Sequence, residues 1–502
     1  MIGILNVIFR HKEINYETAE ILKCQWKVLN RILSLSDKTE FGKKYDLGSI
    51  DSIKEYQKRI PIMHYEDIAP FWNLEASGEK KVIFNSSPEY FVESSGTTGI
   101  KKLIPVTKYM LKSIQACKNR MLSVAMKKDK SYNFLSKKHL IICSRIETGK
   151  TSGGIPVGMI SGLIARKKTP KFVQSLLIPS EETINCISLK EKFLRYKEEV
   201  VGHKFGTIAG IPASVVDLLT YLKDNLSEEE YAYCFDEVKI LLTSGVNYRP
   251  YKNKLEELLG KNFSFIDSYV SSEGFYGGEA QENPDVFQFF PKSVFFEFIP
   301  IENYWSSDYN TRLLLSEIEV DQKYAIAVTT GNGTFSYILG DVIKVCSKKP
   351  LRFTIAGRTL LTLNLVAEKT SITQVENAIT QFSEQKGVII KEFFLAKNHE
   401  SNKPSYCWYF EETDFFMNLD ESSKIEICKA LDKSLCEANP LYDYFLNEVQ
   451  TMEASTIHII SSRGINNWFK RKNSDPIHKK LPRIILNKEA VNTIVKSDTI
   501  LV

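Results

Sequence analysis

Residues 91–107 read FVESSGTTGIKKLIPVT, and five small residues in a row, 94–98, stand between two segments of strand character. Such a run packs no core. With Gly96 and Gly99 between and after them, Ser94, Ser95, Thr97 and Thr98 offer four hydroxyl donors and a succession of backbone amides. Glycine lets that backbone close on an anion and take positive φ. Lys101 and Lys102 follow at once and add positive charge. The loop holds no base, nucleophile or metal ligand, so the chemistry it suits is gripping a triphosphate.

Two other glycine-bearing segments compete for a phosphate. SRIETGKTS, residues 144–152, ends in Gly149, Lys150 and Thr151 and nearly spells a P-loop. Ser144 takes the place of the first glycine, however, and GGIPVGMISG follows where a helix is required. TTGNGTFS, residues 329–336, has Ser336 where a dinucleotide fingerprint needs its third glycine, and a strand comes next. It reads as a hairpin turn. Two carboxylates sit in better company. SYVSSEGFYGG, from Ser268, puts Ser272 and Glu273 just past a buried strand, where an α/β sheet presents ligand groups. SYILGDV, residues 336–342, puts Asp341 behind a glycine, where a carboxylate can accept hydrogen bonds from two ribose hydroxyls.

The elements that must position these groups follow from periodicity. Residues 14–33 carry apolar side chains at helical spacing (Ala19, Leu22, Trp26, Leu29, Leu33), and a second helix is expected over 108–127. HLIICS, residues 139–144, is an unbroken apolar strand of the kind buried on both faces of a parallel sheet. Strands at 207–209, 239–243 and 263–270 alternate with helical stretches at 213–225 and 248–259, which argues for an α/β layer. From Phe287 onward VFFEFIPI, RLLLSEIEV, KYAIAVTT, FSYILGDVIKVC and LRFTIAG read as an antiparallel β unit, with Asn332 and Gly333 in a hairpin turn. Beyond about residue 364 helices and strands alternate again, as a small α+β domain. The expected division is 1–368, a large domain, and 369–502, a small mobile one.

With 502 residues the chain is too long for one core, and roughly 150 residues per domain gives about three units. A net charge of +5 without a basic stripe argues against a nucleic-acid partner. Nine cysteines without a C-x-x-C pair fit reduced thiols, hence a cytoplasmic protein. The N-terminal stretch makes a poor signal peptide, and no run approaches the ~20 apolar residues of a membrane span. A soluble monomer or weak oligomer is expected.

Taken together, the hydroxyl-glycine loop, the Y-V-S-S-E-G segment and the L-G-D segment resemble the adenylate-forming enzyme superfamily. More closely, the chain resembles the auxin-responsive promoter (Gretchen Hagen) family of acyl acid amido synthetases, as a bacterial-type member. RIPIMHYEDIAPF, GGIPVGMISG, SGVNYRPY, LRFTIAGR, NLVAEK and HKKLPR extend the likeness over nearly the whole chain. The resemblance implies an adenylate-forming fold with a large N-terminal and a small C-terminal domain. It implies a ligase that uses ATP and Mg²⁺ to adenylate a small carboxylic acid and then transfers the acyl group to an amine, typically of an amino acid. Ser94, Ser95, Gly96, Thr97, Thr98 and Gly99 would hold the phosphates, Tyr269 would face the adenine with Ser272 by the nucleotide, Glu273 would hold Mg²⁺ and Asp341 the ribose. Lys369 and Lys480 match family lysines that act at the phosphate end. Ile155, Pro156, Met159, Phe296 and Phe298 are apolar candidates for the acid pocket.

The family's third motif keeps at least one arginine, where this chain has Ser336 and Ile338. Weaker ATP or acid affinity, or an unusual acid, is therefore expected. Two alternatives stay open: acyl transfer to a thiol such as coenzyme A, and a catalytically weakened nucleotide-binding relative.

Overall fold

The computed structural model describes residues 18–95, 101–129, 132–167, 169–280, 286–359, 362–471 and 481–496. The chain divides into two compact units. One comprises Met1–Gly210, Leu226–Gly245 and Asn262–Ala356, and the other Ile211–Asn225, Val246–Lys261 and Gly357–Val502.

In the first unit the chain lays down β1 (Tyr90–Ser95), β2 (Lys101–Val106), β3 (Lys138–Ile141), β4 (Gly149–Lys150), β5 (Pro156–Gly158), β6 (Leu177–Ile178) and β7 (Phe205–Gly210). There follow β8 (Ile240–Ser244), β9 (Ser264–Ser271), β10 (Gly274–Glu279), β11 (Phe287–Phe289) and β12 (Phe295–Pro300). β13 (Lys323–Thr329), β14 (Tyr337–Lys348) and β15 (Leu351–Arg358), of which residues 351–356 belong to this unit, complete the set. Four of them form a small sheet in the order β2-β1-β5-β4. The rest form one eleven-stranded sheet, β12-β13-β14-β15-β11-β10-β9-β8-β7-β3-β6.

The antiparallel strands are thus not a unit of their own. They continue the parallel layer, and β9 is the joint: it runs parallel to β8 and antiparallel to β10. The parallel strands bury Leu140, Phe205, Ile208, Ile240 and Leu241 completely, as continuous apolar runs require cover on both faces. RLLLSEIEV does not form the expected strand. Only Leu313 bridges, to Phe298, and the chain then turns where Glu317 accepts the Leu314 amide at 2.8 Å. Its apolar residues Leu315 and Ile318 plug the core from a loop.

The helix Lys108–Lys128 matches expectation. Thr107 caps it by accepting the Met110 amide, and its stripe Met110, Leu111, Ile114, Cys117, Met121 and Ala125 is buried as the helix packs on β9 and β10. The first helix runs Thr18–Ser36; the remainder of that expectation, 14–17, lies outside the described residues.

The second unit pairs β16 (Thr362–Leu363) with β17 (Thr370–Ser371). It also holds a four-stranded sheet of β18 (Phe393–Lys397), β19 (Tyr406–Glu411), β20 (Thr456–Ile460) and β21 (Ile484–Ile485), in the order β20-β19-β18-β21. The helices Ile372–Lys386 and Glu421–Ala438 cover it, with Val375, Ile379, Leu431 and Leu435 meeting Phe393, Leu395, Trp408 and Phe410. Ser371 and Gln374 form a capping box at the start of the first helix, and Gly387 ends it in the left-handed region, at φ +63°. This is the expected α+β arrangement.

Candidate functional site

β1 and β2 form a hairpin whose register runs from Tyr90↔Val106 to Ser95↔Lys101, so residues 96–100 join its two ends. Gly96, Thr97, Thr98 and Gly99 lie outside the described residues, as do the side chains of Ser94, Ser95 and Lys101. Lys102 is described. Its Nζ lies 3.4 Å from the Tyr337 hydroxyl and 4.8 Å above the Tyr65 ring, a cation–π contact.

β5 runs alongside β1, pairing Phe91↔Val157 and Val92↔Gly158, which sets Ile155, Pro156 and Met159 beside the hairpin. Ile155 and Leu103 pack against the cluster of Ala76, Phe91 and Val157, and Met159 is buried at the head of the helix Ile160–Arg166. Phe296 and Phe298 belong to another neighbourhood. Both are fully buried on β12 in an aromatic cluster with Phe289 and Tyr324. The near P-loop is an antiparallel hairpin, β4 with β5, and no helix follows it directly. Gly149 itself has open space around it, whereas Gly153 and Gly158 answer packing. A Cβ on Gly153 would stand 2.4 Å from the Gly78 nitrogen, and one on Gly158 1.7 Å from the Ile146 carbonyl oxygen.

Glu273 occupies the tight turn between β9 and β10, where Ser271 pairs with Gly274 and the sheet changes from parallel to antiparallel. Ser272, in the same turn, is buried. The turn is held from outside. The Glu273 carbonyl accepts Thr330 Oγ1 at 3.0 Å and Asn332 Nδ2 at 2.9 Å, while Glu273 Oε2 accepts the Ser271 hydroxyl at 2.6 Å. Thr330 and Asn332 come from the turn 330–336, and Thr107, at the foot of β2, donates to the carbonyl of Gly331 in the same turn. Sequence reasoning gave TTGNGT no role beyond a hairpin. Its unusual density of hydroxyl and amide side chains was the available signal.

Asp341 follows Gly340, which takes φ +84°, at a register shift where Ala325↔Val342 gives way to Ala327↔Ile338. This bulge turns the carboxylate toward β9, and the Tyr269 hydroxyl donates to Asp341 Oδ2 at 2.7 Å. The Tyr269 ring is not the open adenine face the sequence suggested: it is buried and packed against Tyr276, Phe287 and Phe353, with its hydroxyl on Asp341. Burial, then the nearby charges of Glu273 and Glu66, push the Tyr337 phenol above its ordinary range. Burial and Glu273 do the same for Tyr276, which also feels Asp341. The Ser271 hydroxyl, 2.7 Å from the Tyr276 hydroxyl, links that phenol to Glu273, and the Tyr337 hydroxyl meets Lys102. Neither tyrosine was singled out from sequence.

Both faces of this strand are buried, and the other one meets different partners. Ser336 Oγ lies 2.5 Å from Glu297 Oε2, 3.1 Å from the Tyr56 hydroxyl and 3.4 Å from Arg312 Nη1. Arg312 pairs with the fully buried Glu297 at 3.3 Å, and Gln57 donates to Glu297 at 3.2 Å. Burial raises the Glu297 carboxyl above the usual range, with Arg312 opposing. Ile338 sits among Ile299, Ile301, Tyr304, Ala325, Ala327 and Val342.

In the second unit Lys369 is exposed in the loop between β16 and β17, at φ +50°. Lys480 lies outside the described residues. Among the described residues no group of three His, Cys, Asp or Glu could cage a metal. Mg²⁺ keeps waters and binds through one or two carboxylates plus substrate phosphates, and Glu273 offers one carboxylate in the turn between β9 and β10. No helix among the described residues is long and apolar enough to cross a membrane.

Family models match along the chain: the GH3 family N-terminal domain over residues 10–229, its central domain over 287–358 and its C-terminal domain over 373–489. The chain belongs to the GH3 family. A jasmonoyl–L-amino acid synthetase of Nicotiana attenuata is 24% identical over 502 residues, covering 85% of this chain and 85% of the relative. Among solved structures, the AtGH3.15 acyl acid amido synthetase in complex with 2,4-DB has a TM-score of 0.77 at 19% identity, over 98% of this chain and 95% of that one. A 2-hydroxyisobutyryl-CoA ligase in the postadenylation state has a TM-score of 0.64 at 12% identity, over 97% and 94%. The fold is that of the adenylate-forming enzymes, and the expected class, an amido synthetase of the GH3 family, is met.

Proposed function

We propose that this chain is an ATP- and Mg²⁺-dependent ligase that adenylates a small carboxylic acid and passes the acyl group to the amine of an amino acid. The observation that carries the reading is a set of contacts: Lys102 at the Tyr337 hydroxyl, Glu273 linked through the Ser271 hydroxyl to Tyr276, and Asp341 at the Tyr269 hydroxyl. In the first step a carboxylate oxygen of the acid attacks the α-phosphorus, and the bond to pyrophosphate breaks. In the second the amine nitrogen attacks the acyl carbon and loses a proton, and AMP leaves with the bonding pair. Both steps rest on positioning and on neutralising charge that develops at oxygen.

The amides and hydroxyls of Ser94, Ser95, Gly96, Thr97, Thr98 and Gly99 hold the phosphates in this reading, with Lys102 paired to Ser94 at the loop end of their hairpin. Asp341, oriented by Tyr269, accepts the ribose hydroxyls. Glu273 would hold Mg²⁺, whose charge serves the phosphate oxygens when bound. Lys369 and Lys480 serve the phosphate end during adenylation. Ile155, Pro156 and Met159 receive the apolar body of the acid. The nine cysteines are all free, which supports a cytoplasmic setting.

The fold shared with a CoA ligase keeps transfer to a thiol as the second reading. The test is mass spectrometry of mixtures of ATP, Mg²⁺, an acid (indole-3-acetate, jasmonate, benzoate or 2,4-DB) and either amino acids or coenzyme A. An amide with AMP supports the proposal, and a thioester moves the chain to the second reading. ATP binding without product from any acid marks a weakened nucleotide-binding relative.

A further inference from the structure

β16 and β17 pair through Thr362↔Ser371 and Leu363↔Thr370, so residues 364–369 form a closed loop. That loop is wound around its own glutamate. Glu368 is buried, and its oxygens accept the amides of Leu365 at 2.7 Å, Val366 at 2.9 Å and Ala367 at 3.1 Å. The Tyr406 hydroxyl completes the set, 2.7 Å from Oε1. Burial first, and the Glu368 charge next, hold the Tyr406 phenol well above its ordinary range, so it stays a donor. Buried Asn439 fixes the backbone of the same residue, donating to the Glu368 carbonyl at 2.8 Å. Four donors converge on one side chain, which an acceptor-only carboxylate satisfies and an amide does not.

The course so enforced is strained. Ala367 takes φ +122° and Lys369 φ +50°, both in the region that favours glycine. Such conformations persist only where the surroundings over-determine them. A glycine at either position would follow the course unaided, yet position 369 keeps a long, charged and exposed side chain. The Lys369 amide in turn donates to Asn364 Oδ1 at 3.3 Å.

We propose that Glu368 is the positioning residue of Lys369: its buried carboxylate, anchored by Tyr406, bends the loop into the course that presents the lysine side chain. This rests on the reading of Lys369 as a lysine of the phosphate end. Removing the carboxylate should therefore act like removing the lysine, although residue 368 touches no substrate.

The experiment compares Glu368→Gln, Lys369→Ala and the double variant Glu368→Gln/Ala367→Gly. Hydrogen exchange over residues 362–371 is measured on the free protein, with ATP–Mg²⁺ affinity and pyrophosphate release on indole-3-acetate, jasmonate, benzoate and 2,4-DB. Glu368→Gln should speed exchange of the 365–367 amides at least tenfold and lower kcat at least tenfold, toward the Lys369→Ala value. ATP affinity should stay within twofold. Adding Ala367→Gly, which lets the loop keep its course without the carboxylate, should recover most of the lost kcat. Unchanged exchange in Glu368→Gln overturns the proposal, and so does wild-type kcat in that variant beside a failing Lys369→Ala. Should Glu368→Gln not fold, Tyr406→Phe, which removes one donor, should give the same pattern at reduced size. A wild-type rate in Lys369→Ala sinks the phosphate-end reading and the positioning role with it. A wild-type protein silent on every acid sinks the proposed function instead, and hydrogen exchange in Glu368→Gln then decides the loop alone.

Discussion

Ser336 and Tyr337 are neighbours that face opposite ways. Tyr337 and Asp341 look toward Lys102, Tyr269 and the Glu273 turn, whereas Ser336 and Ile338 look into the interior, one onto the Glu297–Arg312 pair and the other into an aliphatic cluster. The two positions where the family carries arginine both fall on the interior face. Arg312, arriving from the segment between β12 and β13, already brings a guanidinium to Ser336. A motif read as a string merges two populations, because alternate residues of a strand belong to different environments. The cations missing from the motif are missing from the core face.

Mutations on the two faces should separate cleanly, and the largest effect belongs to the interior. Ile338→Arg, which restores the family residue, would bury an unpaired charge among aliphatic side chains. It should cost about 3–5 kcal/mol of stability, read as a fall in Tm or denaturation midpoint, and should not tighten ATP. On the site face Asp341→Asn should leave Tm nearly unchanged and weaken ATP roughly tenfold or more, the loss of one or two charge-assisted hydrogen bonds. Tyr269→Phe should give the smallest effect, about three- to fivefold in the KM for ATP, because it frees the Asp341 carboxylate to rotate without removing it. A Tm loss from Asp341→Asn larger than that from Ile338→Arg would break the comparison.

Much of the fold was legible because its signals are local. The helix Lys108–Lys128 announced itself by a capping threonine and an apolar stripe, and the β13–β14 hairpin by Asn332 and Gly333. What was not legible depends on distant partners. Nothing in the spacing of VFFEFIPI or KYAIAVTT says that those strands extend the sheet of HLIICS, because edge pairing is settled by backbone hydrogen bonds across β9 and β10. RLLLSEIEV has the composition of a strand, yet Leu315 and Ile318 enter the core from a turn. The candidate site divides the same way. Glu273 and Asp341 were found by their motifs, while Thr330, Asn332 and Tyr337, which hold and face them, contribute through contacts between elements far apart in sequence. Phe298, proposed for a pocket on its apolarity, is a core residue.

The central claim is that the site face of the first unit serves adenylation. Acid-dependent exchange between ATP and labelled pyrophosphate tests it most directly, because it reports the first step whatever the acceptor. The wild-type protein should support exchange on at least one of indole-3-acetate, jasmonate, benzoate and 2,4-DB. Glu273→Gln and Asp341→Asn should lower it, while Lys150→Ala, in the β4–β5 hairpin, should leave it unchanged. Binding of ATP without exchange on any acid, or loss of exchange from Lys150→Ala alone, would contradict the account.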